Sequence, residues 1–222
     1  MNTIENLSIK WVWWAIMVIR KWIQDNIEDI FLANLKELKN SVPWKEPGQR
    51  SPLFGTIEEK DKWNTLKAFI RETSEEFDLD LIENGYSSFD VAPIWNLELI
   101  VPWFTIPVDI FLALSRKWVY PSIYADIKEW VTGAKRTNLV NFLKFSDNEL
   151  RTGTLEVIYL ALQNIIDKAT NNKYNNLNHS PISSPIPVEI DKGEYVDTAK
   201  IREKINKALE IIFNLNYSDV VT

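Results

Sequence analysis

Nine apolar residues in unbroken succession, Trp11 to Ile19, constrain this chain more than any other feature. Around them Ile9, Val12, Ile16, Ile19, Ile23, Ile27 and Ile30 recur at three- and four-residue steps, the spacing of one helix face. Trp11, Trp14, Val18 and Trp22 form a second stripe at the same spacing. The pattern predicts one long helix over 3–39, apolar almost all round between residues 11 and 19. Such a helix is buried centrally or meets something besides its own core. The run is too short to cross a bilayer, which takes about 20 apolar residues. Glu5 before it, and Arg20 and Lys21 after it, do not fit a cleaved secretory signal.

A second apolar stretch, Val91 to Leu114, is long enough to span a membrane. Glu98, Asp109, Pro93, Pro102 and Pro107 interrupt it. Acids are costly in lipid, and prolines break the continuous helix that lipid requires. This segment therefore reads as protein core. Peripheral attachment through the first helix stays open.

The chain has 222 residues, enough for one hydrophobic core. Ten Trp, ten Phe and seven Tyr supply unusually large rings to fill it. The absence of Cys excludes disulfides, thiol catalysis and cysteine-bound metals, and fits a reducing, cytoplasmic setting. A net charge of −6 argues against general nucleic-acid binding. Acid is concentrated in residues 41–90, with eleven negative against six positive residues. A basic excess follows around Arg116, Lys117, Lys128, Lys135, Arg136, Lys144 and Arg151 and reads as a solvated face.

Downstream, Pro43, Pro47, Gly48, Pro52 and Gly55 mark a connecting loop. Thr56 with Glu59 resembles a capping box ahead of a helix over 57–76. Residues 77–101 alternate in places and contain Asn84-Gly85, so a short β meander or hairpin competes with a helix there. Helices are expected from near Ile106, over 122–131 and over 135–145. Ser146 with Glu149 offers another capping box, followed by a stripe of Leu155, Ile158, Leu162, Ile165 and Ala169. Residues 171–196 are rich in Asn and Pro and read as a linker. A last helix over 197–215, capped by Asp197, shows Ile201, Ile205, Leu209 and Ile212 on one face. The expectation is a mainly α multi-helix bundle over 1–170, the linker 171–196, and a terminal segment 197–222 whose helix docks on the core or on a partner.

Glycine spacing excludes nucleotide loops of the Walker and dinucleotide-binding types, because no two of the six glycines lie closer than seven positions. His179 is the single histidine, so paired-histidine zinc chemistry is impossible. Carboxylates are the abundant chemical group. On a helix, Glu72 shares a face with Glu75 or Glu76, as a pair that can hold Mg²⁺. Asp126 with Glu129 is the best-spaced facing pair. That arrangement would serve a metal-dependent hydrolase of a phosphorylated small molecule.

Three functional readings follow. The first is a non-enzymatic helical subunit with no cofactor, docking on a protein partner or a second copy of itself through Trp11, Trp13, Trp14 and Trp22, since Trp is favoured at binding hot spots. The second is the carboxylate–Mg²⁺ hydrolase. The third is a membrane-surface protein held by the Trp-rich helix.

Overall fold

The fold is taken from a computed structural model, described over residues 11–21, 27–38, 47–77, 89–101, 104–115, 131–170, 186–191, 194–195 and 198–215. In chain order the elements are β1 (Trp11–Lys21), β2 (Ile27–Glu37), β3 (Arg50–Ser51), β4 (Leu53–Thr56), α1 (Thr65–Phe77), β5 (Phe89–Val101), β6 (Phe104–Ser115) and β7 (Val131–Asn138). Then come α2 (Leu139–Phe142), α3 (Thr154–Thr170), β8 (Ile186–Asp191), β9 (Glu194–Tyr195) and α4 (Thr198–Phe213). Short 3₁₀ turns occupy Glu59–Asp61 and Asp147–Glu149.

The apolar opening run is a strand. β1 pairs antiparallel with β2, Met17 facing Leu32 and Ile19 facing Ile30. It also pairs antiparallel with β4, and in parallel with β6 from Trp11–Val108 to Met17–Leu114. The helix expected over 3–39 is thus two strands of one sheet, and the mainly α bundle is replaced by a mixed architecture. The physical reason lies in the position of β1. A strand in the middle of a sheet covered on both sides reads as a continuous apolar run, which periodicity cannot tell from a buried helix. Its Val, Ile and Trp content favours the extended form.

β6 shows how both sides of the sheet are covered. Phe111 and Ala113 enter one apolar cluster with Ala33, Leu35, Leu53, Ile57, and Ala68 and Phe69 of α1. Ile110, Leu112 and Leu114 enter the other, with Leu97 and Leu99 of β5 and the buried faces of α2, α3 and α4. Alternation along the strand sends neighbours to opposite faces. The Phe69 and Phe111 rings stack with centroids 5.5 Å apart, tying α1 to its face of the sheet. The result is an α/β/α sandwich, with α1 on one side and α3 packed on α4 on the other.

Other expectations shift accordingly. The helix expected near Ile106 is β6, which pairs with β5 in a long antiparallel hairpin. The β element expected near 77–101 is present as β5; residues 78–88, including Asn84-Gly85, lie outside the described residues. Asp109 therefore stands opposite Asn96 in a strand pair and not in the first turn of a helix. The register of β5 slips between Pro93 and Trp95, the kind of break at which a sheet tolerates proline. The helix expected over 135–145 is the end of β7, paired to β2, followed by the single turn of α2. Most of the helix expected over 122–131 lies outside the described residues.

The α3 stripe Leu155, Ile158, Leu162, Ile165 and Ala169 is buried as expected from its spacing. α4 buries Ile205, Leu209 and Ile212 in the same cluster. Among the described residues, no helix is long and apolar enough to cross a membrane.

Candidate active site

One turn of chain and one helix build a dense charged cluster on the α1 side of the sheet. β4 ends at Thr56, and the Glu59–Asp61 turn brings the chain to α1. The Asp61 carboxylate accepts the Glu58 backbone N–H at 2.9 Å, which fixes the turn. The capping pair expected at Thr56 and Glu59 is thus formed two residues later. Asn64 then accepts the Lys67 N–H on its side-chain oxygen at 3.0 Å, starting the helix.

Arg71 is the hub. Its Nε and Nη2 donate to the two oxygens of Asp61, both at 2.9 Å, in the bidentate geometry that suits guanidinium and carboxylate. Nη2 also donates to the Thr56 carbonyl at 3.0 Å. Nη1 reaches Glu72 at 2.8 Å and Glu75 at 2.9 Å, so one nitrogen holds both glutamates. Asp61 is only 3% exposed, and it tethers the guanidinium from below while Glu75 stays in solvent.

Hydrogen bonds from Arg71 hold the Asp61 carboxyl below its ordinary value, against the opposing effect of burial. Burial acts to lower the Arg71 pKa, but Asp61, Glu72 and Glu75 together hold it above the usual guanidinium range. Glu72 behaves differently. Burial pushes its carboxyl up to about 7; Arg71 pulls it down, while Glu75 and Glu58 add to the rise.

The space for Glu72 comes from Gly55. A Cβ at position 55 would lie 2.5 Å from the Glu72 carboxyl carbon and from one of its oxygens. Real side chains essentially never approach that closely, so the absence of a side chain at 55 lets this carboxylate lie against the β4 backbone. The Thr73 hydroxyl donates to the Phe69 carbonyl at 2.8 Å on the buried face, so consecutive residues of α1 point to core and site.

Of the residues singled out from sequence, Glu72 and Glu75 are brought together, by Arg71. Glu76 belongs to the last turn of α1, and its side chain lies outside the described set. Asp126 and Glu129 lie outside the described residues altogether. Trp11, Trp13 and Trp14 lie on β1, with side chains outside the described set, and Trp22 is likewise outside it. The helical docking face on which the partner reading rested does not form. Arg71, Asp61 and Gly55 were missed. Their signals were present: Arg71 stands four residues before Glu75, an ion-pair spacing, and a lone glycine in a strand marks close backbone approach.

Among the described residues, no three acidic or histidine side chains form a ready metal cage. The two glutamates on Arg71 suit a different mode. Mg²⁺ keeps several waters and is commonly held by one or two carboxylates together with substrate phosphates.

No family model matches the sequence, and no curated protein is similar to it. Solved structures do match. The NUDIX domain of Shewanella oneidensis NrtR, complexed with ADP ribose, superposes with a TM-score of 0.54 over 71% of this chain and 88% of that one, at 12% identity. The chain has the NUDIX fold. NrtR complexed with a 27mer DNA gives a TM-score of 0.53 over 89% of this chain and 82% of that one, at 10% identity. At such identity the likeness is of fold alone, and the NUDIX fold is an α/β/α sandwich in keeping with the two core layers described above.

Proposed function

We propose that this chain is a hydrolase of a phosphorylated small molecule, of the nucleoside-diphosphate type, and that Glu72 and Glu75 of α1 form its working centre. The observation that carries the reading is the Glu72 carboxylate, cradled at Gly55 and held with Glu75 on one Arg71 nitrogen. The fold gives it a context, since the NUDIX domain of NrtR is complexed with ADP ribose. The reaction is the cleavage of a phosphoanhydride. A water oxygen bonds to one phosphorus, the bond from that phosphorus to the bridging oxygen breaks, and the second phosphate leaves with the bridging oxygen. The water's proton passes to solvent.

Mg²⁺, when bound, would neutralise phosphate charge and acidify the attacking water. Glu72 and Glu75 are the described residues that would hold it, with Glu76 adjacent in sequence. Arg71 sets the position of both carboxylates, and Asp61 fixes Arg71 through two bonds, so the pair is placed before substrate arrives. Gly55 leaves the room into which the Glu72 carboxylate fits.

With ADP ribose as substrate, millimolar Mg²⁺ should produce AMP and ribose 5-phosphate. A chelator should abolish the reaction, and added metal should restore it, as followed by chromatography of the nucleotide products. Absence of product with either Mg²⁺ or Mn²⁺, for ADP ribose and for other nucleoside diphosphate derivatives, would refute the reading.

A further inference from the structure

We propose that the exposed indole of Trp63 is the platform on which the base of the substrate nucleotide stacks, beside the Arg71 cluster; the inference rests on the hydrolase reading above. Lys62 and Trp63 have φ of 52° and 57°, two successive non-glycine residues in the left-handed region. For a bulky residue this is an outlier, and it persists only where the surroundings over-determine it. Here both flanks are fixed. The Lys62 N–H donates to the Glu59 carbonyl at 2.8 Å and the Asn64 N–H to the Asp61 carbonyl at 3.1 Å. Ahead, Asp61 is locked to Arg71; behind, Asn64 starts α1.

The usual reason to hold a tryptophan so firmly is to bury it. Trp63 is instead 67% exposed. It stands two residues from Asp61, a chain distance of at most about 7 Å, and Asp61 holds the Arg71 guanidinium that in turn holds both glutamates. The other large exposed apolar residues among those described are Leu38, Leu66 and Val140, and of these Leu66 alone is near Trp63 in sequence. One ring and one leucine make a patch far smaller than the roughly 800 Å² per partner of a stable protein interface. A rigid flat ring of this size suits a small flat ligand. Aromatic side chains stack on bases without regard to base identity.

The test compares ADP ribose with ribose 5-diphosphate, which has a phosphoanhydride and no base. Trp63→Ala should lower the ratio of kcat/KM for ADP ribose to that for ribose 5-diphosphate about tenfold, through KM, and Trp63→Phe should keep the ratio within about threefold of wild type. An unchanged ratio in Trp63→Ala overturns the proposal. If neither compound is hydrolysed, the hydrolase reading fails, and calorimetric titration with ADP decides the stacking alone. Binding by wild type that is weakened about tenfold in Trp63→Ala supports it. Equal binding by both proteins, or no binding by wild type, overturns it.

Discussion

At Glu72 burial and charge pull in opposite directions. The carboxyl is 8% exposed, and burial raises its pKa to about 7 even though Arg71 lies 2.8 Å away. The consequence for stability has a definite sign. The folded protein binds this proton more tightly than the unfolded chain, whose glutamate titrates near 4.5. Stability from this group is therefore fully present below pH 4.5 and is lost as pH rises to about 7. At 1.36 kcal/mol per pH unit the loss is at most about 3 kcal/mol. Glu72→Gln removes the titration. In metal-free buffer its Tm should gain on wild type between pH 5 and pH 8, and thermal melts across that range check it. None of this tuning is legible in sequence. Glu72 and Glu75 were readable as partners on one helix face, but burial of one and exposure of the other depends on the β4 backbone at Gly55, which is remote from the helix in local pattern.

Elements whose apolar residues fall on one face were legible, and elements buried on both were not. α3 and α4 carry stripes at helical spacing with polar residues between; α4 forms close to its expected bounds, and α3 covers its stripe but starts at Thr154, the Ser146 capping box heading a separate short turn. β1 and β6 lie inside the sheet, where nearly every residue is apolar and the helix and strand templates fit equally well. β2 reads as a helix for a similar reason, with Leu32 and Ala33 buried on opposite faces of the sheet. The docking of α4 depends on contacts that only the fold reveals. Arg202 donates to the Leu143 carbonyl at 2.7 Å and the Phe145 carbonyl at 3.0 Å, and pairs with Asp147 at 2.6 Å; the Thr198 hydroxyl donates to the other Asp147 oxygen. Partial exposure weakens the ion pair, so the two carbonyls dominate. Arg202→Ala should cost about 1–2 kcal/mol, or roughly 2–8 °C in Tm, with no change in ADP ribose hydrolysis. A calorimetric melt and an activity assay on the same sample check both halves.

Among the described residues, the proposed site lies on one side of the sheet. α1 stacks Phe69 on Phe111 against the sheet while Arg71, Glu72 and Glu75 gather over the β4 end. The opposite layer, α3 with α4, contributes packing. On the proposed reading, a chain with abundant acids but only one histidine, no Cys and no paired glycines would act on phosphates through carboxylates alone. Hydrolysis of ADP ribose by wild type and Glu72→Gln, side by side in millimolar Mg²⁺ and with circular dichroism matched, tests this most directly. The account predicts turnover by wild type and a loss of at least about 100-fold in kcat/KM for the variant. Equal turnover by the two proteins would contradict it.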